Sequence, residues 1–330
     1  MISKRKKIIS FIFTLLALFV LFLIAVNTGS LKVTPLQLFN GLFVEYDSDV
    51  ATIYDLRFPR IFIAMLGGGA MAVSGLLLQA VLKNPLSDPG IIGISSGASF
   101  VAVLVTAFFP SLFFFTPLFA FLGGLIAFAI VYSLSWKGGL SPLRIVLVGV
   151  AVNSVFTGLM SAFNSATGSS YSGAASIVNS NITMKTWDDF QTLLWYALAG
   201  ILISFFIAGR CNLLALEDKT ARSLGVNVNK SRLIISIVAV MLASISTAVI
   251  GPISFLGLIV PHIARLLVGS NHKILVPYTT LLGAFTLLLA DTVGRTVASP
   301  YEISASVIMC VVGGPFFIIL LRRSKNGYSK

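Results

Sequence analysis

The fold is decided by the stretch Phe58–Leu82, which reads FPRIFIAMLGGGAMAVSGLLLQAVL. It has a single charged side chain, Arg60, close to its start. A helix that crosses a lipid bilayer needs about 20 apolar residues in succession. The stretch therefore predicts a membrane-spanning helix, and its glycine triplet at 67–69 predicts that another helix packs closely against it.

The composition of the whole chain agrees with this stretch. Of the 330 residues, 57% are hydrophobic and only 10% are charged, whereas a soluble domain carries about 25% charged residues. Soluble enzymes, nucleic-acid-binding proteins and secreted disulfide scaffolds are thereby excluded for the chain as a whole. The sequence contains two cysteines and two histidines, so we expect no metal cluster and no bound cofactor.

Apolar runs recur along the chain and predict about ten crossings in an all-α polytopic membrane protein. Eight runs besides 58–82 are long enough: Ile8–Val26, Ile91–Phe109, Thr116–Ser135, Leu143–Phe163, Leu193–Ala208, Leu233–Ile250, Leu275–Val293 and Ile303–Leu321. A shorter run, Ile253–Val268, is interrupted by Pro261. Because the remaining connections are short, we expect residues 1–330 to form one integral membrane domain.

The distribution of basic residues predicts the orientation. With ten crossings and a cytoplasmic N-terminus, 18 of the 23 Lys and Arg residues fall on the cytoplasmic side. Residues 1–7 and 322–330 are then cytoplasmic ends, and residues 211–231 form the longest cytoplasmic connection. This bias accounts for the net charge of +12, so no nucleic-acid partner is needed to explain it.

Two segments cannot continue as membrane-spanning helix. Asn84–Gly90 contains two prolines, and Gly251–Gly257 contains Pro252 between glycines. The hydropathy pattern predicts that the first break lies at the cytoplasmic side and the second at the outer side. Equivalent breaks in two oppositely oriented halves are typical of an inverted repeat, with a transport pathway between the halves. Two ordinary Pro-Gly turns are the alternative.

The energy source is not visible in the chain itself. Ion-coupled carriers keep ionisable residues at mid-depth, but here the nearest candidates, Arg265 and Asp291, lie close to the ends of predicted spans. No pair of residues suited to intramembrane catalysis is present, and no phosphate-binding loop for ATP occurs. The segment Leu213–Val226 predicts a short amphipathic helix that ends at Gly225. Its partner is either another protein or the lipid surface.

The motifs resemble those of the FecCD family of ABC-importer permeases, which import ferric siderophores, heme and cobalamin. The resemblance is carried by Arg57–Arg60, Ser74–Ala80, Asn84–Gly93, Ala221–Val226, Gly251–His262 and Leu289–Asp291. It implies a type II importer permease in the bacterial cytoplasmic membrane, a transport subunit rather than an enzyme. The implied partners are a second permease, identical or paralogous, two ATPase subunits and an extracytoplasmic substrate-binding protein.

The resemblance also implies roles for individual residues. The cytoplasmic gate would comprise Asn84, Leu86, Ser141 and Pro142. The surface for the ATPase would comprise Glu217, Asp218, Ala221, Arg222, Leu224, Gly225 and Val226. The surface for the binding protein would comprise Arg57, Arg60 and Arg295, expected as exposed arginines that pair with glutamates. A ferric siderophore is the expected substrate, heme or cobalamin the alternative, and an ion-coupled secondary transporter the alternative of a different class.

Overall fold

The computed structural model describes residues 2–29, 31–135, 142–167, 182–298 and 301–325. Within these ranges the chain is helical, with turns and short connections but no strand. Seven of the described helices are long and apolar enough to cross a membrane, and three further apolar helices are shorter. The predicted fold class, an all-α polytopic membrane protein with about ten crossings, is confirmed.

Thirteen α-helices occur in the described part of the chain. They are α1 (Lys4–Asn27), α2 (Pro35–Phe43), α3 (Ser48–Leu56), α4 (Phe58–Leu82), α5 (Ile94–Phe108), α6 (Thr116–Ser135), α7 (Pro142–Thr167), α8 (Trp187–Leu214), α9 (Asp218–Ser223), α10 (Val228–Ile250), α11 (Leu256–Val268), α12 (His272–Val297) and α13 (Ala305–Lys325). A 3₁₀-helix covers Pro110–Phe115. Hydropathy did not predict α2 and α3, which begin after side-chain caps at Thr34 and Asp47.

Helix α4 forms the centre of the bundle. Nearly all of its side chains are buried, and it packs against α8, α10, α11 and α12. Helix α1 lies at the periphery, with most of its apolar side chains exposed. An apolar helix that is buried on every face belongs in the core, whereas exposed apolar side chains in a membrane protein face lipid or a partner.

Helices α4–α7 and α10–α13 pack in the same pairwise pattern. In this pattern α4 corresponds to α10, α5 to α11 and α6 to α12. The contact of α4 with α12 is matched by that of α10 with α6, and the contact of α5 with α10 is matched by that of α11 with α4. The pairs α5–α6 and α11–α12 also correspond. Helices α4 and α10 run antiparallel, since Gly67 lies beside Ile250 whereas the Ser74 hydroxyl donates to the Ala239 carbonyl. This pattern agrees with the predicted inverted repeat, and the short helices α5 and α11 hold equivalent positions in it.

Candidate functional site

The two breaks in the helices lie against each other in the core. We call residues 84–93 and 251–257 together the break junction. After α10 the chain turns back at Gly251, and α11 starts beside Gly75 of α4, where a methyl group on Gly75 would overlap the Gly257 backbone. The two breaks begin toward opposite ends of α4, as expected, because the first follows Leu82 whereas the second follows Ile250, which lies beside Gly67. They meet between these ends, where Gly257 lies against Pro89. The chain does not continue outward after α10, because residues 251–255 return along α4.

Asp88 connects the two halves of the break junction. Its Oδ1 atom accepts hydrogen bonds from the backbone N–H groups of Gly90 at 2.8 Å and Ile91 at 3.3 Å. The other carboxylate oxygen is buried and forms no hydrogen bond, but it faces the backbone N–H groups of Phe255 and Gly257 at the start of α11. A negative charge is favourable at the N-terminus of a helix. Asp88 therefore holds its own turn and the first turn of α11 in one arrangement.

Backbone strain is concentrated at the break junction and its border. Phe255 (φ +68°) and Lys83 (φ +50°) adopt left-handed conformations, and only one other non-glycine residue in the described chain does so. Such conformations cost about 1–3 kcal/mol each and persist where the surroundings impose them. The Gln79 amide donates to the Gly257 carbonyl at 3.0 Å and is one of the contacts that hold the junction.

The structure places two of the predicted gate residues within this junction. Asn84 is buried, and its side-chain oxygen accepts from the Leu86 N–H at 3.0 Å, which closes a local turn. Leu86 is half-buried. Pro142 is the first residue of α7, and Ser141 lies outside the described residues. The gate role of these four residues stays a prediction.

Helix α7 carries a stripe of small polar residues on its exposed face. Ser154, Gly158, Ser161 and Ser165 follow one another at helical spacing, and all four are exposed. The opposite face, with Ile145 among others, is buried against the bundle. The Ser154 hydroxyl donates to the Val150 carbonyl at 2.9 Å, and small polar residues on an exposed face of a spanning helix favour contact with water or another subunit. No acidic or basic side chain belongs to this described stripe.

The predicted ATPase-docking segment forms a short helix at one end of the bundle, which we call the coupling end. Helix α9 is followed by Gly225 at φ +79°, as expected for a glycine stop. Ala221 is buried against the bundle, whereas Leu224 is 62% exposed. Glu217, Arg222 and Gly225 are also exposed, and Asp218 and Val226 are half-buried. The apolar side chains of this segment therefore do not share one face, because Ala221 packs against the bundle whereas Leu224 lies on the surface.

An ionic link connects this segment to the break junction. The Lys83 Nζ atom, one residue before Asn84, donates to the Leu216 carbonyl at 2.7 Å and to Asp218 Oδ1 at 3.0 Å. Arg232 of α10 donates to the same Asp218 oxygen at 3.0 Å. The hydrogen bond from Lys83 and the charge of Arg232 lower the pKa of Asp218 below its ordinary value. The carboxylate therefore stays charged and bridges α4, α9 and α10.

The three arginines proposed for binding-protein docking are not free surface groups. Arg60 donates to Asp291 at 2.8 Å and to Glu302 at 2.9 Å, and its side chain is only 9% exposed. Arg295 lies 3.3 Å from the second Asp291 oxygen and is 6% exposed. Arg57 donates to the backbone carbonyls of Val26, in the last turn of α1, and Leu31, just beyond that helix.

The expectation of exposed, unpaired guanidinium groups is therefore corrected. Charged groups in apolar surroundings are retained only when they are paired, and the nearby carboxylates provide this pairing. The cluster joins the start of α4 to the end of α12 at the end of the bundle opposite the coupling end. A docking role for these arginines stays a prediction.

Sequence reasoning missed Asp88 and Lys83. A signal for Asp88 was present, because an acidic residue between two prolines in an apolar region needs buried hydrogen-bond donors. No local pattern indicates that residues 255 and 257 lie against its carboxylate. Lys83 had no signal beyond its place next to the break.

Comparisons with known proteins agree with this architecture. The family model of the FecCD transport family matches residues 16–323. A heme-iron transport system permease protein, IsdF of Staphylococcus aureus strain Newman, is 39% identical over 330 residues, with 99% of each chain covered. A solved structure of a metal-chelate type ABC transporter in an inward-facing conformation is 29% identical. It has a TM-score of 0.78, with 96% of this chain and 99% of the other covered.

A more distant solved structure shares the fold. PsaBC from Streptococcus pneumoniae, in complex with Fab, has a TM-score of 0.59 at 15% identity and covers 87% of this chain and 95% of its own. The helical bundle is thus that of a type II ABC importer permease. The chain belongs to the FecCD transport family. It is a multi-span permease, the transport subunit of an ABC importer.

Proposed function

We propose that this chain moves an iron chelate into the cell as one of two permease subunits, driven by ATP hydrolysis on separate ATPase subunits. The polar stripe Ser154–Ser165 on α7 carries the proposal. It supplies a hydroxyl-lined path along a spanning helix, without charges that would bind a small ion. The coupling end, with the chain termini, faces the cytoplasm in this proposal, in the bacterial cytoplasmic membrane.

The partners follow from the same assignment. A second permease, identical or paralogous, would face the α7 stripe and close the other side of the pathway. Two ATPase subunits would bind at the coupling end, around the exposed Leu224 and Gly225. A substrate-binding protein would dock near Arg57, Arg60 and Arg295. Because these arginines are paired internally, docking would either exchange their carboxylate partners or use the cluster as a rigid support.

Heme is the first candidate substrate. A relative that is 39% identical over nearly the full length of both chains is named as a heme-iron permease. A ferric siderophore is the second candidate, since the solved structure at 29% identity is named for a metal-chelate type transporter. That description fits an iron porphyrin and a ferric siderophore alike.

Growth on a single iron source tests the substrate. Iron-starved cells that lack this permease receive the gene together with those of its partners, and either heme or a ferric siderophore as the sole iron source. Growth on heme alone supports the first candidate, and growth on the siderophore alone supports the second. Failure of both, with the protein present in the membrane, would contradict the iron-chelate proposal.

Thiol labelling tests the pathway independently of the substrate. The background is Cys310→Ser, which removes the exposed cysteine and leaves the buried Cys211. In this background the Ser154→Cys variant should take up the iron chelate until a bulky water-soluble thiol reagent is added. We expect the reagent to block its uptake. The control is Leu122→Cys on the exposed apolar face of α6, which should not react. Uptake by the modified Ser154→Cys protein at the unmodified rate would refute the pathway.

A further inference from the structure

A groove between α6 and α10 lies outside the transport site. It encloses a volume of about 480 Å³ and begins at the coupling end, where α6 ends and α10 starts. Its deeper part is lined by Leu125, Phe128, Leu233 and Ile237. Two of these, Leu233 and Ile237, are substantially exposed. An open apolar groove on a spanning helix pair is a place where an acyl chain fits better than water.

The end of the groove nearest α9 is polar. Asn229 and Arg232 line it, and the Arg232 side chain is only 14% exposed. One guanidinium nitrogen of Arg232 donates to Asp218, but its Nε atom is buried and has no hydrogen-bond partner. A buried donor on a charged group is costly to leave unpaired. Arg232 thus keeps its positive charge, and one donor that no protein atom uses, beside an apolar channel.

The charge around this end is positive. Residues 210–232 contain five basic side chains and two acidic ones, a net charge of +3. The groove extends about 12 Å along α10 from Asn229 to Ile237, at 1.5 Å per residue. A polar, cationic mouth and an apolar channel of this length match a phospholipid whose headgroup lies at the membrane surface. Basic side chains at such a surface favour anionic lipids.

We propose that this groove binds one anionic phospholipid, with its phosphate at Arg232 and an acyl chain between α6 and α10. Arg232 also pairs with Asp218 of the ionic link to Lys83. The lipid would therefore lie next to the contact that joins α9 to the break junction. This assignment does not depend on the identity of the transported substrate.

Lipid titration followed by native mass spectrometry tests the site. The delipidated importer complex is titrated with phosphatidylglycerol, phosphatidylcholine or inorganic phosphate. Arg232→Gln should weaken phosphatidylglycerol binding about tenfold, the loss of one charge-assisted hydrogen bond, whereas Arg232→Lys should retain most of it. Arg5→Gln on α1 is the charge-matched control and should bind as the unaltered protein does.

The acyl channel has its own pair of variants. Ala129→Trp fills the groove and should abolish the preference for phosphatidylglycerol, whereas Ile126→Trp places the same side chain on the exposed face of α6 outside the groove. The proposal would be overturned if phosphatidylglycerol and phosphatidylcholine bound equally well, or if the control variants lost as much binding as Arg232→Gln and Ala129→Trp. Displacement of the lipid by inorganic phosphate at the concentration of the lipid would also overturn it. A cysteine pair that cross-links position 129 to another subunit would also overturn it, because the groove would then be a protein interface.

Discussion

Replacement of Asp88 tests whether this residue connects the two halves of the break junction or stabilises only its own turn. Asp88→Ala removes the hydrogen bonds to Gly90 and Ile91 and the negative charge at the start of α11. A hydrogen bond to a charged group contributes about 1.5–3 kcal/mol, and the longer bond contributes less. We therefore expect a loss of about 3 kcal/mol in the free energy of unfolding. This corresponds to a decrease of about 5 °C in the melting temperature of the purified protein.

Asp88→Asn is the more informative variant. Asparagine keeps one oxygen, which can still accept from Gly90 and Ile91. Its NH₂ group then faces the N–H groups of Phe255 and Gly257, so that donors oppose donors. If Asp88 connects the two halves of the junction, asparagine should destabilise the protein nearly as much as alanine does. If Asp88 serves only its own turn, asparagine should cost less than about 1 kcal/mol.

Two measurements read out this difference. Thermal unfolding in detergent reports the overall stability, and hydrogen exchange reports the backbone N–H groups at the start of α11. We expect faster exchange there in both variants. Asp55→Asn, on the exposed surface of α3, is the control and should match the unaltered protein. Normal exchange and normal stability in Asp88→Asn would refute the connection between the halves.

Three further predictions concern the other parts of the site. Lys83→Met removes the ionic link to α9 but keeps an apolar stem of similar length, so substrate-stimulated ATP hydrolysis by the complex should decrease several-fold while stability changes by less than about 1 kcal/mol; an unchanged rate would contradict the link. Leu224→Asp places a charge on the proposed ATPase contact, and we expect loss of ATPase binding in pull-down with normal membrane insertion. Arg60→Met leaves Asp291 buried beside Arg295 alone, so it should destabilise the protein by about 3 kcal/mol or more; a wild-type melting temperature would show that the cluster contributes little.

Hydropathy predicts the spanning helices well where the run is apolar and bounded by charge or proline. Phe58–Leu82 and Thr116–Ser135 match their predicted bounds, because Pro59 and Pro117 occupy the first turns, where proline is tolerated. Helix α8 begins at Trp187 rather than Leu193, because Thr186 and Asp189 form a capping box that extends the helix into polar sequence. Apolar content alone does not register such caps.

The contacts that build the site are long-range and could not be predicted in this way. Asp88 and Gly257 are far apart in sequence, and their contact depends on residues 251–255 turning back along α4. The arginine cluster was closer to prediction, since Arg60 and Asp291 both lie close to the ends of predicted spans. Burial makes their pairing necessary, but only the packing of α4 against α12 shows which charges meet.

Reconstituted transport distinguishes ATP-driven import from ion-coupled transport. The permease with its ATPase and binding protein is placed in proteoliposomes, and chelate movement is followed toward the side on which the ATPase binds. We expect accumulation that requires ATP on that side and persists when ionophores remove the proton and sodium gradients. Accumulation driven by an ion gradient without ATP would contradict ATP-driven import and would favour an ion-coupled carrier.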